Sequence, residues 1–148
     1  MLLSRASQYT LQALIYLARQ PIGKTVSARH IANELGLPVF YLAKLIQAPT
    51  RAGWLTTACG RGGGVKLNTD AVTITLLDIL QLTHSRRVTR ECLLGFKICD
   101  DKTACVMHCQ WKPIEQELAE GLGSYTLAAL ASDSPPPWPL AEIGNELL

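Results

Sequence analysis

Ser27-Ala-Arg-His-Ile-Ala-Asn-Glu-Leu-Gly-Leu-Pro-Val-Phe-Tyr-Leu-Ala-Lys-Leu-Ile46 carries two short helical patterns with a glycine joint between them. Ser27 is suited to an N-cap, because its side-chain oxygen can accept from an orphan N–H of the first turn. The helix it opens has Ile31, Ala32 and Leu35 as its apolar positions, and Gly36 follows where the chain needs a left-handed residue. Pro38 suits the first turn of the next helix, which points Leu42, Leu45 and Ile46 inward. Two short helices on a tight glycine turn make a helix-turn-helix.

The flanks extend this pattern. Upstream, Leu11, Leu14, Ile15 and Ala18 recur at helical spacing, predicting a helix from about Ser4 to Arg19 that Pro21 and Gly23 end. Downstream, Trp54 to Cys59 reads as a strand, Gly60-Arg61-Gly62-Gly63-Gly64 as a turn and Val65-Lys66-Leu67 as the returning strand. A hairpin directly after a helix-turn-helix is a wing. Thr75-Leu-Leu-Asp78 resembles a capping box opening a helix through Ile79, Leu80 and Leu82. Trp111, Ile114, Leu118, Leu122 and Tyr125 then predict one long amphipathic helix, interrupted near Gly121 and Gly123. The expected class is mainly α with a small β-hairpin wing. Residues 1–70 form the winged helix-turn-helix, 71–131 the dimerisation helices with a cysteine loop at about 92–109, and 132–148, which hold four prolines, a flexible tail.

The 148 residues are 48% hydrophobic and 18% charged, enough apolar material for a core. No apolar run approaches a membrane span. Gln12 and Arg19 interrupt and close the one patch that resembles a signal peptide, so a soluble, cytoplasmic protein is expected. The net charge of +2 conceals an asymmetry. Residues 1–70 hold eight basic and two acidic residues, residues 71–148 six basic and ten acidic. A basic front half favours a polyanion partner.

Winged helices also serve as plain protein–protein modules, but the basic front half favours double-stranded DNA as the partner. With Leu42, Leu45 and Ile46 inward, Val39, Phe40, Tyr41 and Lys44 remain to face the major groove, although Phe40 and Tyr41 could instead be partial core. Gly62 and Gly63 let the hairpin tip approach the duplex, and Arg61 is the cation there for a narrow minor groove. Ser27 and Arg29 lie where a phosphate could be held. No Ser/His/Asp set, phosphate loop or hydrolytic metal site is evident, and an enzyme is not expected.

Cys92, Cys99, Cys105 and Cys109 fall close together, with Cys59 apart. Without a secretory signal they argue against a disulfide framework. Cys92-x6-Cys99-x5-Cys105-x2-His108 places three thiols and an imidazole in a short segment. Thiolates select zinc or iron–sulfur clusters. Zinc knuckles use C-x2–4-C spacing, and the wider gaps here favour a cluster over one ion, and over a disulfide switch. A fourth ligand must come from His108, Cys109 or another subunit.

Together these residues resemble the IscR/NsrR-type (Rrf family) winged-helix transcriptional regulators over about residues 1–131. The likeness rests on Ser7-Gln8-Tyr9-Thr10-Leu11-Gln12-Ala13-Leu14, Leu35-Gly36-Leu37 with Tyr41-Leu42, and Arg51-Ala52-Gly53-Trp54-Leu55. Gly60-x-Gly62-Gly63-Gly64 and the cysteines with His108 and Trp111 complete it. The resemblance implies a homodimer on pseudo-palindromic promoter DNA, a repressor whose affinity responds to redox, NO or iron status through an iron–sulfur cluster. Carried over by position, Cys92, Cys99 and Cys105 are cluster ligands. His108 matches the histidine of the branch with a 2Fe–2S centre, while 4Fe–4S remains open. The sequence departs from the family at the first cysteine gap, six where five is usual. It departs also at Gln8, where NO-sensing members place a ligating aspartate, at Cys59 in place of a wing arginine, and at Pro49 in place of leucine. A cluster-carrying electron-transfer protein and a zinc or thiol–disulfide regulator on the same fold are the rival readings.

Overall fold

Ser4 caps the first helix: its Oγ accepts from the Ser7 backbone N–H at 3.1 Å, opening α1 (Arg5–Ala18). The computed structural model describes residues 3–83, 92–96 and 99–132. Ser27 caps α2 (Ala28–Glu34) in the same way, accepting from His30 N–H at 3.2 Å. Gly36 turns the chain at φ +63°, a conformation that costs a side-chain-bearing residue strain, and α3 (Val39–Leu45) follows with Pro38 at its N-cap. Leu14, Ile31, Leu35 and Leu42 are fully buried where α1, α2 and α3 meet. Each such side chain contributes roughly 1.5–3 kcal/mol by leaving water.

A short helix absent from the expectation, α4 (Gln47–Arg51), continues from Ile46. Pro49 explains it. Proline cannot extend the α3 ladder, but at the third position of a new helix its missing N–H has no intrahelical partner to lose. β1 (Leu55–Ala58) and β2 (Gly64–Leu67) then pair antiparallel, Leu55 opposite Leu67 and Ala58 opposite Gly64. Val26 adds a bridge to Val65, with N–H···O distances of 2.9 and 2.8 Å, so the wing is tied to the segment entering α2. A Cβ on Gly64 would stand 2.3 Å from the Val26 carbonyl oxygen, which is why this position lacks one.

After one 3₁₀ turn (Ala71–Thr73), the capping box forms with aspartate as its acid. Asp78 Oδ2 accepts from Thr75 N at 2.9 Å, and Thr75 Oγ1 accepts from Asp78 N at 3.1 Å, opening α5 (Leu76–Thr83). Ile74, Ile79 and Leu127 share one core with α1–α3, so packing runs on past residue 70.

α6 (His108–Ser124) corrects two expectations. The loop expected over 92–109 ends at Met107, placing His108 and Cys109 on a helix. The expected interruption at Gly121 and Gly123 does not occur, since a helical glycine costs only about 1 kcal/mol. The break falls instead at Tyr125–Thr126. There Leu76 N donates to Tyr125 O at 2.8 Å and Leu127 N to Ile74 O at 2.7 Å, pulling the chain into an extended bridge before α7 (Leu127–Ser132). α7 packs on α1, and Arg19 Nε donates to the Ala131 carbonyl at 2.9 Å. Apart from Ser132, the tail expected over 132–148 lies outside the described residues. The architecture is a winged helix: mainly helical, with a two-stranded antiparallel hairpin.

Candidate functional site

The helix-turn-helix presents what it does not bury. Leu42 and Leu45 face the core, leaving Phe40 79% exposed, Val39 40% exposed and Lys44 exposed on α3. Tyr41 separates from this group. It is half-buried and meets the ring of Tyr9 edge-on, centroids 6.1 Å apart, so it braces α3 against α1. Ser27 Oγ is occupied as a cap acceptor, but its own hydrogen stays available to a phosphate, and Arg29 beside it is exposed. At the wing tip Arg61 and Gly62 are exposed and Gly63 half-buried; a Cβ at Gly63 would stand 2.3 Å from the Ala58 carbonyl oxygen.

The cysteine segment brings its donors together in pairs. Cys92 Sγ lies 3.7 Å from Cys105 Sγ, and Cys99 Sγ lies 3.3 Å from His108 Nδ1. Among the described residues, no three His, Cys, Asp or Glu side chains stand ready as a single-ion site. Cys59 and Cys109, both exposed, are outside these pairs. Electrostatics differ between the thiols. Backbone N–H groups of Phe96, Leu94 and Gly95 and the Cys105 thiol surround Cys92 sulfur, Phe96 foremost, and hold its pKa below the usual thiol value. Burial, then the charge of Glu115, push Cys99 up. His108 is 6% exposed at the start of α6.

Three residues here had no place in the sequence reading. Asp101 Oδ1 sits 3.0 Å from His108 Nε2 and accepts from Lys112 Nζ at 2.7 Å. Lys112, foremost, and His108 hold the Asp101 carboxyl below the usual carboxylate range. Glu115 is buried. Lys112 and Glu115 lie four and seven residues after His108, on its face of α6. Helical periodicity would have found them had the helix been started at residue 108.

This donor set suits a thiophilic metal group. Three thiols, one with its sulfur already encircled by N–H donors, and one buried imidazole nitrogen aimed at a thiol offer soft ligands from two pairs. Among the described residues no helix is long and apolar enough to cross a membrane.

Residues 3–133 match the family model Rrf2, described as "Iron-dependent Transcriptional regulator". Among solved structures, CymR, the global cysteine regulator of B. subtilis, is 26% identical. It superposes with a TM-score of 0.74 over 90% of this chain and 98% of that chain. IscR of T. potens is 25% identical, TM-score 0.68, over 90% and 92%. CymR of Staphylococcus aureus, at 24% identity and TM-score 0.71 over 89% and 99%, speaks to the fold alone. The family consists of transcriptional regulators, not enzymes. With its winged helix built around an exposed α3 and matched along nearly its whole length, the chain belongs to the Rrf2 family of DNA-binding transcriptional regulators.

Proposed function

We propose that the protein is a homodimeric repressor whose affinity for promoter DNA is set by an iron–sulfur cluster held by Cys92, Cys99, Cys105 and His108. Residues 1–70 read DNA through Val39, Phe40, Lys44, Arg61, Gly62 and Gly63, with Ser27 and Arg29 on phosphate and Tyr41 as a strut. The observation that carries the cluster is the pairwise approach of four soft donors, with buried His108 turning Nδ1 toward Cys99. Two separated pairs suit a 2Fe–2S group better than one ion, with 4Fe–4S as the alternative. Once bound, the cluster supplies a centre that gains or loses an electron and is open to oxidation or NO.

The chain's own residues offer the route to DNA. His108 begins α6, whose 17 residues span about 25 Å. The far end, at Tyr125–Leu127, is hydrogen-bonded to Ile74–Leu76, and α7 beyond it rests on α1. A tilt imposed at His108 therefore reaches the helix that braces α3. Ile114 is 55% exposed, and Trp111, Leu118 and Leu122 on the same face are half-buried, which favours a second copy of α6 as their cover. Two copies set recognition helices about 34 Å apart, one turn of DNA.

Anaerobically purified protein is expected to be coloured, with visible absorbance lost in the Cys92→Ala, Cys99→Ala, Cys105→Ala triple variant. Colourless protein with one zinc per chain rejects the cluster. A thiol–disulfide regulator on the same fold is favoured by one observation, the 3.7 Å separation of Cys92 and Cys105 sulfurs. Thiol counting after oxidation, beside iron analysis, separates the two.

A further inference from the structure

We infer that Asp101 is a positioning residue for the cysteine–histidine centre: it keeps the proton of His108 on Nε2 and so makes Nδ1 the nitrogen offered to iron. The inference deepens the cluster proposal and rests on it for the identity of the metal; the proton's position rests on contacts within this chain.

An ionised carboxylate has lone pairs and no hydrogen to donate. Asp101 Oδ1 is 3.0 Å from His108 Nε2, so the hydrogen between them belongs to the ring. In a neutral imidazole the other nitrogen then carries the lone pair. That nitrogen, Nδ1, is the one 3.3 Å from Cys99 Sγ. The ring, 6% exposed in the first turn of α6, has little room to reverse. Lys112, one turn along the same face, donates to the same Asp101 oxygen at 2.7 Å. α6 therefore grips one loop carboxylate at two points. Asp101 follows Cys99 by two residues, so this grip also tethers the Cys99 strand of the loop to the helix bearing His108. Asp100 shapes the turn that aims it, its Oδ1 accepting from the N–H groups of Lys102 and Thr103 at 2.9 and 2.8 Å. A metal-ligating histidine fixed by a carboxylate on its other nitrogen is a general device, and losing the carboxylate costs 10–100-fold in metal affinity. Asp101 is 80% exposed, so water competes for the contact and the lower end, about tenfold, is expected here.

Nitrogen-15 NMR of the metal-free protein at mildly alkaline pH reads the His108 tautomer directly. Wild type is expected to carry its hydrogen on Nε2, D101A to show a mixture, and D101E, which keeps a carboxylate, to hold the wild-type tautomer. An Nδ1–H tautomer or a doubly protonated ring in wild type overturns the inference, as does a D101A spectrum like wild type or a D101E spectrum like D101A. In the iron-loaded protein, D101A should lose its visible absorbance to a chelator about tenfold faster than wild type, and equal rates overturn the inference. If wild type takes up no iron, the cluster proposal fails while the NMR result still decides the tautomer.

Discussion

The helix-turn-helix and the cysteine segment are built on opposite principles. Leu14, Ile31, Leu35 and Leu42 are packed in one buried cluster, and the exposed face of α3 is held by what lies behind it. Among the described residues between Cys92 and Met107, Leu93, Leu94, Phe96 and Val106 are exposed, and the contacts are hydrogen bonds and facing sulfur and nitrogen atoms. A close-packed core specifies one arrangement by itself. A segment organised by polar donors can be rearranged by whatever those donors bind. On the proposed function, that division gives the regulator a reading head of constant shape and a signal segment of adjustable shape.

The sharpest way to break this contrast is to cut into both regions and compare stability. Leu42→Ala should cost about 2–5 kcal/mol in denaturant unfolding. Cys99→Ala should cost under about 1 kcal/mol. Equal losses would mean that the cysteine segment is part of the structural core.

The contrast sharpens further on DNA. Arg29→Ala should lower the slope of log affinity against log salt by about 1, as one phosphate contact does, with a roughly uniform loss across sequences, whereas Arg61→Ala should cost most on sites with a narrow minor groove. Lys102→Ala, an exposed cation in the cysteine segment, should leave the slope unchanged. A fall in slope with Lys102→Ala would place both regions on the duplex.

The smallest effect concerns acid. Asp101 has its carboxyl held below the ordinary range, by Lys112 first and His108 second. A depressed folded pKa adds stability above the unfolded value of about 3.9 that is lost as pH falls through the folded one. D101N should therefore be slightly less stable than wild type at neutral pH and converge with it on acidification, measured by unfolding midpoints across a pH series. A difference that persisted in acid would tie Asp101 to packing and not to charge.

Much of the reading head was legible because its signals are local. Ser27 as a cap, Gly36 as a left-handed turn and the Thr75–Asp78 box act within four residues, and the apolar spacing does the rest. The cysteines and His108 were visible as a set because thiols so placed have few other uses. Asp101, Lys112 and Glu115 were not, since Asp101 gains meaning only when the loop folds against α6, and the other two share the face of His108 only once the helix begins there. Tyr41, which the sequence leaves as groove-facing or partial core, is half-buried and meets Tyr9 edge-on.

By itself the sequence determined most of the elements: where α1, α2, α3 and α5 start, that a hairpin follows, which atoms are soft donors. These follow from short-range sterics, capping and periodicity. The tertiary structure alone decided that α6 stops before Tyr125 and not at its glycines, that Cys92 faces Cys105, and which nitrogen of His108 faces sulfur. Each of these depends on atoms distant in the chain competing for the same backbone or side-chain hydrogen bonds, and no local rule contains the competitor.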